Sequence, residues 1–125
     1  MSNDNVSEDK ILASIKKLLG LQDDITAFDV DITMHINSVF ANLASMGVGK
    51  KDPTTGEIIG FTVTTGNETW GDFTDNDNLM SNVRTYVYIK VKMIFDPPTT
   101  GSLINAYTEQ AKEIEYRLYT YAGGY

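Results

Sequence analysis

The run Phe95-Asp96-Pro97-Pro98 divides the second half of this chain in two. Proline has no amide hydrogen to give, and it pushes the residue before it out of helical geometry, so no helix or strand passes through this point. Two separate elements must therefore meet at a tight corner. Upstream, Leu79–Phe95 supports two readings. Val87, Ile89, Val91 and Met93 alternate with Tyr88, Lys90 and Lys92, a strand pattern rich in β-branched residues. Leu79, Val83, Tyr86, Val87, Val91 and Ile94 equally make a helical stripe, and the length of the run favours the helix. Downstream, Thr100 or Ser102 can cap a helix with the stripe Leu103, Tyr107, Ala111, Ile114 and Leu118. Glu113 and Arg117 stand four apart on its outer face, in the favourable order. Two apolar stripes separated by a short proline corner predict an antiparallel core pair.

The first half is punctuated by glycine. Ser7 can cap a short helix, with Glu8 and Asp9 where negative charge suits the helix dipole. Ile11, Leu12, Ile15, Leu18 and Leu19 carry its apolar face, Gly20 stops it, and Gln22–Asp24 turns the chain. A second helix is predicted from about Asp29 to Met46, with Ile32, Ile36, Val39, Phe40 and Leu43 inward and Gly47 at its end. Between residues 47 and 78 Gly, Thr, Asp and Asn dominate. Ile58-Ile59 and Phe61–Val63 look strand-like behind the turn Pro53–Gly56, so this stretch reads as a long excursion holding at most one short hairpin. An excursion of that length is expected to touch something. The sum is a mostly α fold: a small bundle of about four helices, with a loop or β-hairpin excursion between helices 2 and 3. The whole of 1–125 reads as one domain, and 119–125 as a flexible tail.

Charge narrows the function. The net charge is −7, opposite in sign to the basic footprint that phosphate binding requires. An acidic surface aids solubility and would also let DNA slide past without sticking. With no cysteine, disulfides and thiolate metal sites are excluded. The amino terminus lacks the basic and apolar parts of a secretory signal, and no apolar run is long enough to span a membrane.

Patterns that could carry chemistry fall short of it. Ala44–Lys51 brushes a phosphate-loop motif, but Lys51 stands where a magnesium-binding hydroxyl is needed, and a helix precedes the motif instead of a strand. Asp72, Asp75 and Asp77 suggest a calcium loop; counted from Asp75, however, the required glycine and glutamate are Met80 and Tyr86. A polar loop with a cap at Asp77 or Asn78 fits better. His35 is the only histidine, which rules out a multi-histidine metal site, and it faces a run of predicted helix with no paired acid nearby in sequence, which speaks against a His-based triad. Carboxylates that do acid–base work need burial or a charged neighbour, whereas Asp23-Asp24 and Glu113/Glu115 lie on helix ends and outer faces, where nothing in the pattern buries them. Neither an enzyme nor a cofactor is expected.

The aromatic residues remain. Trp70 sits alone in the polar excursion, either closing the loop onto the helices or anchoring an interface, for which Trp and Tyr are favoured. The tyrosines crowd the last forty residues. Trp70, Phe73, Tyr119, Tyr121 and Tyr125 are the candidate partner contacts.

The order of these features resembles the head-tail connector, or adaptor, proteins of long-tailed phages. The matching pieces are Ile11–Leu19 with Asp23-Asp24, Phe28–Asp31 leading to Ile36-Asn37, Leu43–Gly49, and Thr69-Trp70-Gly71-Asp72-Phe73. Val83–Pro98 and Gln110–Leu118 follow, and the most specific parts are the Phe-Asp-Pro-Pro stop with Tyr86 upstream and Glu115-Tyr116-Arg117-Leu118. The resemblance implies a helical bundle with no catalytic residues, in which Leu79–Phe95 is helical. It further implies assembly with copies of itself, as a twelve-fold ring beneath the portal protein, bridging to a head-closure or tail protein and leaving a channel for DNA. Glu57, Asp72, Asp75 and Asp77 are then candidates for an acidic lumen. Such a protein is made in the host cytoplasm and ends in the virion neck. A different class of reading is an acidic regulatory protein that mimics DNA, which needs carboxylates spaced along one face; here they scatter over loops and helix ends.

Overall fold

A computed structural model describes residues 8–123. Five helices are formed: α1 (Ile11–Leu18), α2 (Asp29–Ser45), α3 (Trp70–Phe73), α4 (Asp77–Phe95) and α5 (Gly101–Tyr121). The Ser7 cap expected for α1 lies outside the described residues. The ambiguity over Leu79–Phe95 resolves to helix. Its cap is one residue earlier than expected: the Asn76 side chain accepts the Leu79 amide, and Asp77 takes the first helical position.

The expected core pair is formed. Helices α4 and α5 pack antiparallel around the Asp96–Thr100 corner, with the Thr100 hydroxyl accepting the Leu103 amide at 3.4 Å. Between them the Tyr86 hydroxyl donates to Glu115 Oε2 at 2.7 Å. Helix α2 lies on the other side of α4, and Phe28 meets Phe95 edge-on at 5.4 Å. At the opposite end, Gly47 and Val48 adjoin Leu79 and Ala122. Gly47 ends α2 with φ +86°, and a Cβ there would come within 3.3 Å of the Ala122 Cβ. Both the backbone and the space at this corner therefore demand glycine.

Helix α1 is tied on by an ion pair. Lys16 is buried; its Nζ meets Asp29 Oδ1 at 2.9 Å and donates to the Asp23 carbonyl at 3.2 Å. One lysine thus satisfies the turn between α1 and α2 and neutralises an acid in the first turn of α2.

The excursion departs from expectation. Among the described residues there is no strand, only isolated antiparallel bridges at Lys51 with Ile58 and Lys10 with Thr69. The hairpin does not extend because its two sides have better partners. Asp52 captures the turn by accepting the Thr54 and Thr55 amides. Past Ile59 the chain leaves its neighbour, and Phe61 and Val63 turn to the helices. Val63 is buried and pairs with the side chain of Asn37 on α2: the amide donates to the Val63 carbonyl at 2.9 Å and accepts its N–H at 2.7 Å. The something that this long loop touches is its own bundle.

Candidate functional site: surfaces for a partner

Phe40 of α2 gathers the aromatic residues of the excursion. Its ring lies 5.0 Å from Phe61, 4.9 Å from Phe73 and 6.3 Å from Trp70, and Phe61 meets Phe73 edge-on at 5.5 Å. Trp70 is wholly buried, and its Nε1 donates to Ser14 Oγ at 2.9 Å. Its backbone amide donates to the Asp9 carbonyl, and the Ile11 amide to the Glu68 carbonyl, so the end of the excursion is fastened along α1. Thr69 and Asp72 form a reciprocal capping box around the single turn of α3. Of the candidate partner contacts, Trp70 and Phe73 are thus both taken up by the core. They close the loop onto the helices and present no ring face to a neighbour.

Glu68 holds the loop before α3. Its carboxylate accepts the amides of Thr64, Thr65 and Gly66 and the Thr64 hydroxyl, at 2.9–3.1 Å. Burial acts to raise the carboxyl pKa, but the donors converging on the charged form outweigh it and hold the group at about 2. No periodicity marks the roles of Asn37 and Glu68, because Asn37 binds backbone groups 26 residues away in the chain and Glu68 binds those of an irregular loop.

The tyrosines divide. Helix α5 runs through Tyr121, beyond the Leu118 end expected for it, so Tyr119 and Tyr121 stand on its last turns and not in a flexible tail. The reason is a tertiary contact: the Tyr121 hydroxyl donates to Asn76 Oδ1 at 2.8 Å, fastening the end of α5 to the cap of α4. Both tyrosines remain about half exposed. Tyr116, not among the candidate partner contacts, is more exposed still and shares with Tyr119 an open cleft lined by Asn42, Met46, Lys90 and Lys112. At its base, Tyr86 is buried and bonded to Glu115, and both effects push the phenol above its ordinary pKa, burial foremost. Tyr125 lies outside the described residues.

The four candidate lumen acids are exposed but do not form one cluster. Asp72, Asp75 and Asp77 surround the α3–α4 junction, where Asp72 serves the capping box and Asp77 the start of α4. Glu57 belongs to the separate turn closed by Lys51 and Ile58. Among the described residues no three acidic or histidine side chains converge as metal ligands. Among the described residues no helix is long and apolar enough to cross a membrane. What the surface presents is contact area: exposed tyrosines beside a cleft, acids on loops, and apolar side chains on the helices.

The model of one protein family, described as phage connector protein, matches residues 11–124. No curated protein and no solved structure gives a match. The match covers the five helices and the excursion between them, and it agrees with the resemblance carried by Trp70–Phe73, the proline corner and the end of α5. The chain belongs to the phage connector protein family.

Proposed function

We propose that this protein is a head-tail connector of a long-tailed phage, working as one domain of 1–125 in a ring under the portal. The ring joins the DNA-filled head to head-closure and tail proteins and leaves a channel for the genome. The observation that carries this reading is the family match over residues 11–124. The structure supplies two supports. The excursion is locked to the bundle by the Phe40 cluster and the Asn37–Val63 pair, which gives the rigid body that a ring subunit needs. Asp72, Asp75, Asp77 and Glu57 are exposed on the excursion and at the start of α4, and turned to a lumen they would repel phosphate and prevent adhesion during genome passage. Tyr119, Tyr121 and Tyr125 are assigned to the portal contact, since tyrosine offers large contact area with little side-chain entropy to lose.

The test is a phage whose copy of this gene is silenced. Filled heads should accumulate without tails and leak their DNA, and purified protein should restore tail joining. Supplying Tyr119→Ser/Tyr121→Ser protein should restore it poorly. Normal infectious particles made without the protein would refute the reading.

A further inference from the structure

Two surfaces at opposite ends of α2 are complementary in character. At its start, Val30 and Met34 are the two most exposed of the large non-aromatic apolar side chains among the described residues, at 74% and 61%. They stand four apart, and Asp31 stands three before Met34, so the three are neighbours on one helix surface. Asp31 is exposed and has no ion pair among the described residues. The first turns of α2 thus present an unpaired acid flanked by uncovered apolar groups.

At the other end of α2 lies the cleft that holds Tyr116, about 640 Å³ in volume, between the last turn of α2 and the faces of α4 and α5. Two lysines line it. Lys90 rests over the Tyr86 ring, 5.8 Å from its centroid, and has no ion pair among the described residues. Lys112 has only the exposed Glu109, at 3.6 Å, a pair that solvent screens. Glu115 is the one acid lining the cleft, and it is engaged by the Tyr86 hydroxyl. Met46 and Tyr116, the latter 73% exposed, add apolar area. A carboxylate set between apolar side chains fits this cleft, and the start of α2 carries that combination.

One copy cannot bring the two together, because the helix runs about 21 Å along its axis from Asp31 to Ser45. We propose that the start of α2 in one copy seats in the α2–α4–α5 cleft of the next. Asp31 then stands between Lys90 and Lys112, with Val30 and Met34 against Met46 and Tyr116. Like surfaces facing each other would set acid against acid and lysine against lysine, whereas head to tail each charge meets its opposite. Such a contact leaves a free patch on one copy and a free cleft on the other, so it repeats, and a ring results where the rotation closes. The inference deepens the ring reading and rests on it for closure alone: it names the surfaces by which neighbours meet. Tyr119, one turn further along α5 toward Tyr121, is left for the portal contact.

The chain has no cysteine, so single engineered thiols report the contact. Full-length Met34→Cys and Ser45→Cys proteins, which keep Asp31 and both lysines, are treated in concentrated solution with a short bis-maleimide, alone and mixed. The mixture should give linked dimer at least tenfold faster than either protein alone, and at least tenfold faster than Ile59→Cys mixed with Ser45→Cys. Asp31→Lys added to the Met34→Cys protein should slow the linkage at least tenfold. Lys90→Glu/Lys112→Glu added to the Ser45→Cys partner should then restore most of it. If that last variant fails to fold, the mixing result and the Asp31→Lys loss decide alone. A mixture that links no faster than the single proteins would overturn the proposal, leaving the cleft to a different protein or to like-with-like pairing. So would a rate that Asp31→Lys leaves unchanged. None of these outcomes depends on whether the protein is found in a phage neck, so failure here and failure of the connector reading are separable.

Discussion

The side-chain amide of Asn37 hydrogen-bonds both backbone groups of Val63, taking the place that a neighbouring strand would have filled. Together with the Phe40 ring, this residue of α2 fastens the excursion to the bundle. An extended segment without a sheet still needs partners for its N–H and C=O, and a carboxamide offers one donor and one acceptor in matching geometry.

Asn37→Ala leaves both groups of the buried Val63 unpaired. Each unsatisfied buried group costs about 1–3 kcal/mol, so urea unfolding should show a loss of roughly 2–4 kcal/mol. Asn37→Asp should not rescue it, because a carboxylate would face the Val63 carbonyl. A loss below about 0.5 kcal/mol, the size of a surface change, would show that the pair does not hold the excursion.

Ile114 and Leu103 occupy the same stripe of α5 in the sequence but differ in burial. Ile114 is buried between the helices and Leu103 is half exposed. Ile114→Ala should cost about 2–5 kcal/mol through lost burial and the cavity left behind. Leu103→Ala should cost less than about 1 kcal/mol. Equal losses at the two sites would contradict the position of the α4–α5 contact.

Glu68 makes stability depend on pH. Its folded pKa lies at about 2, below the ordinary 4.5. The unfolded chain therefore takes up the proton first as pH falls, and the contribution of Glu68 is full above 4.5 and lost on descending to about 2. Glu68→Gln should be less stable than wild type at neutral pH, with the difference shrinking through that window. A difference that stayed constant from pH 6 to pH 2 would mean that the charge on Glu68 is not what holds the Thr64–Gly66 loop.

Helices α1, α2 and α5 could be read in advance because their signals are local. The stripe of α2, the stop at Gly47 and the corner at Pro97-Pro98 each follow from spacing and backbone chemistry within a few residues. The excursion could not, since Phe61, Val63, Trp70 and Phe73 are set by Phe40 and Asn37, far away in the chain. Trp70 shows the limit for a candidate site: a lone tryptophan in a polar loop reads equally as anchor or as core. Only its hydrogen bond to Ser14 and its complete burial place it in the core. The bare positions Ile94 and Leu103 were hidden for the opposite reason, because both carry core-like periodicity and only the lengths of the packed helices leave them exposed.

A connector is defined by where it sits in the particle. A cryo-electron reconstruction of the neck of the mature virion, at a resolution that traces helices, should show a ring beneath the portal. Each subunit should fit α2, α4 and α5 with the Asp96–Thr100 corner between the last two, and Asp72, Asp75 and Asp77 should face the channel. A neck ring built from other chains only, with this protein absent from purified virions by mass spectrometry, would contradict the connector reading outright.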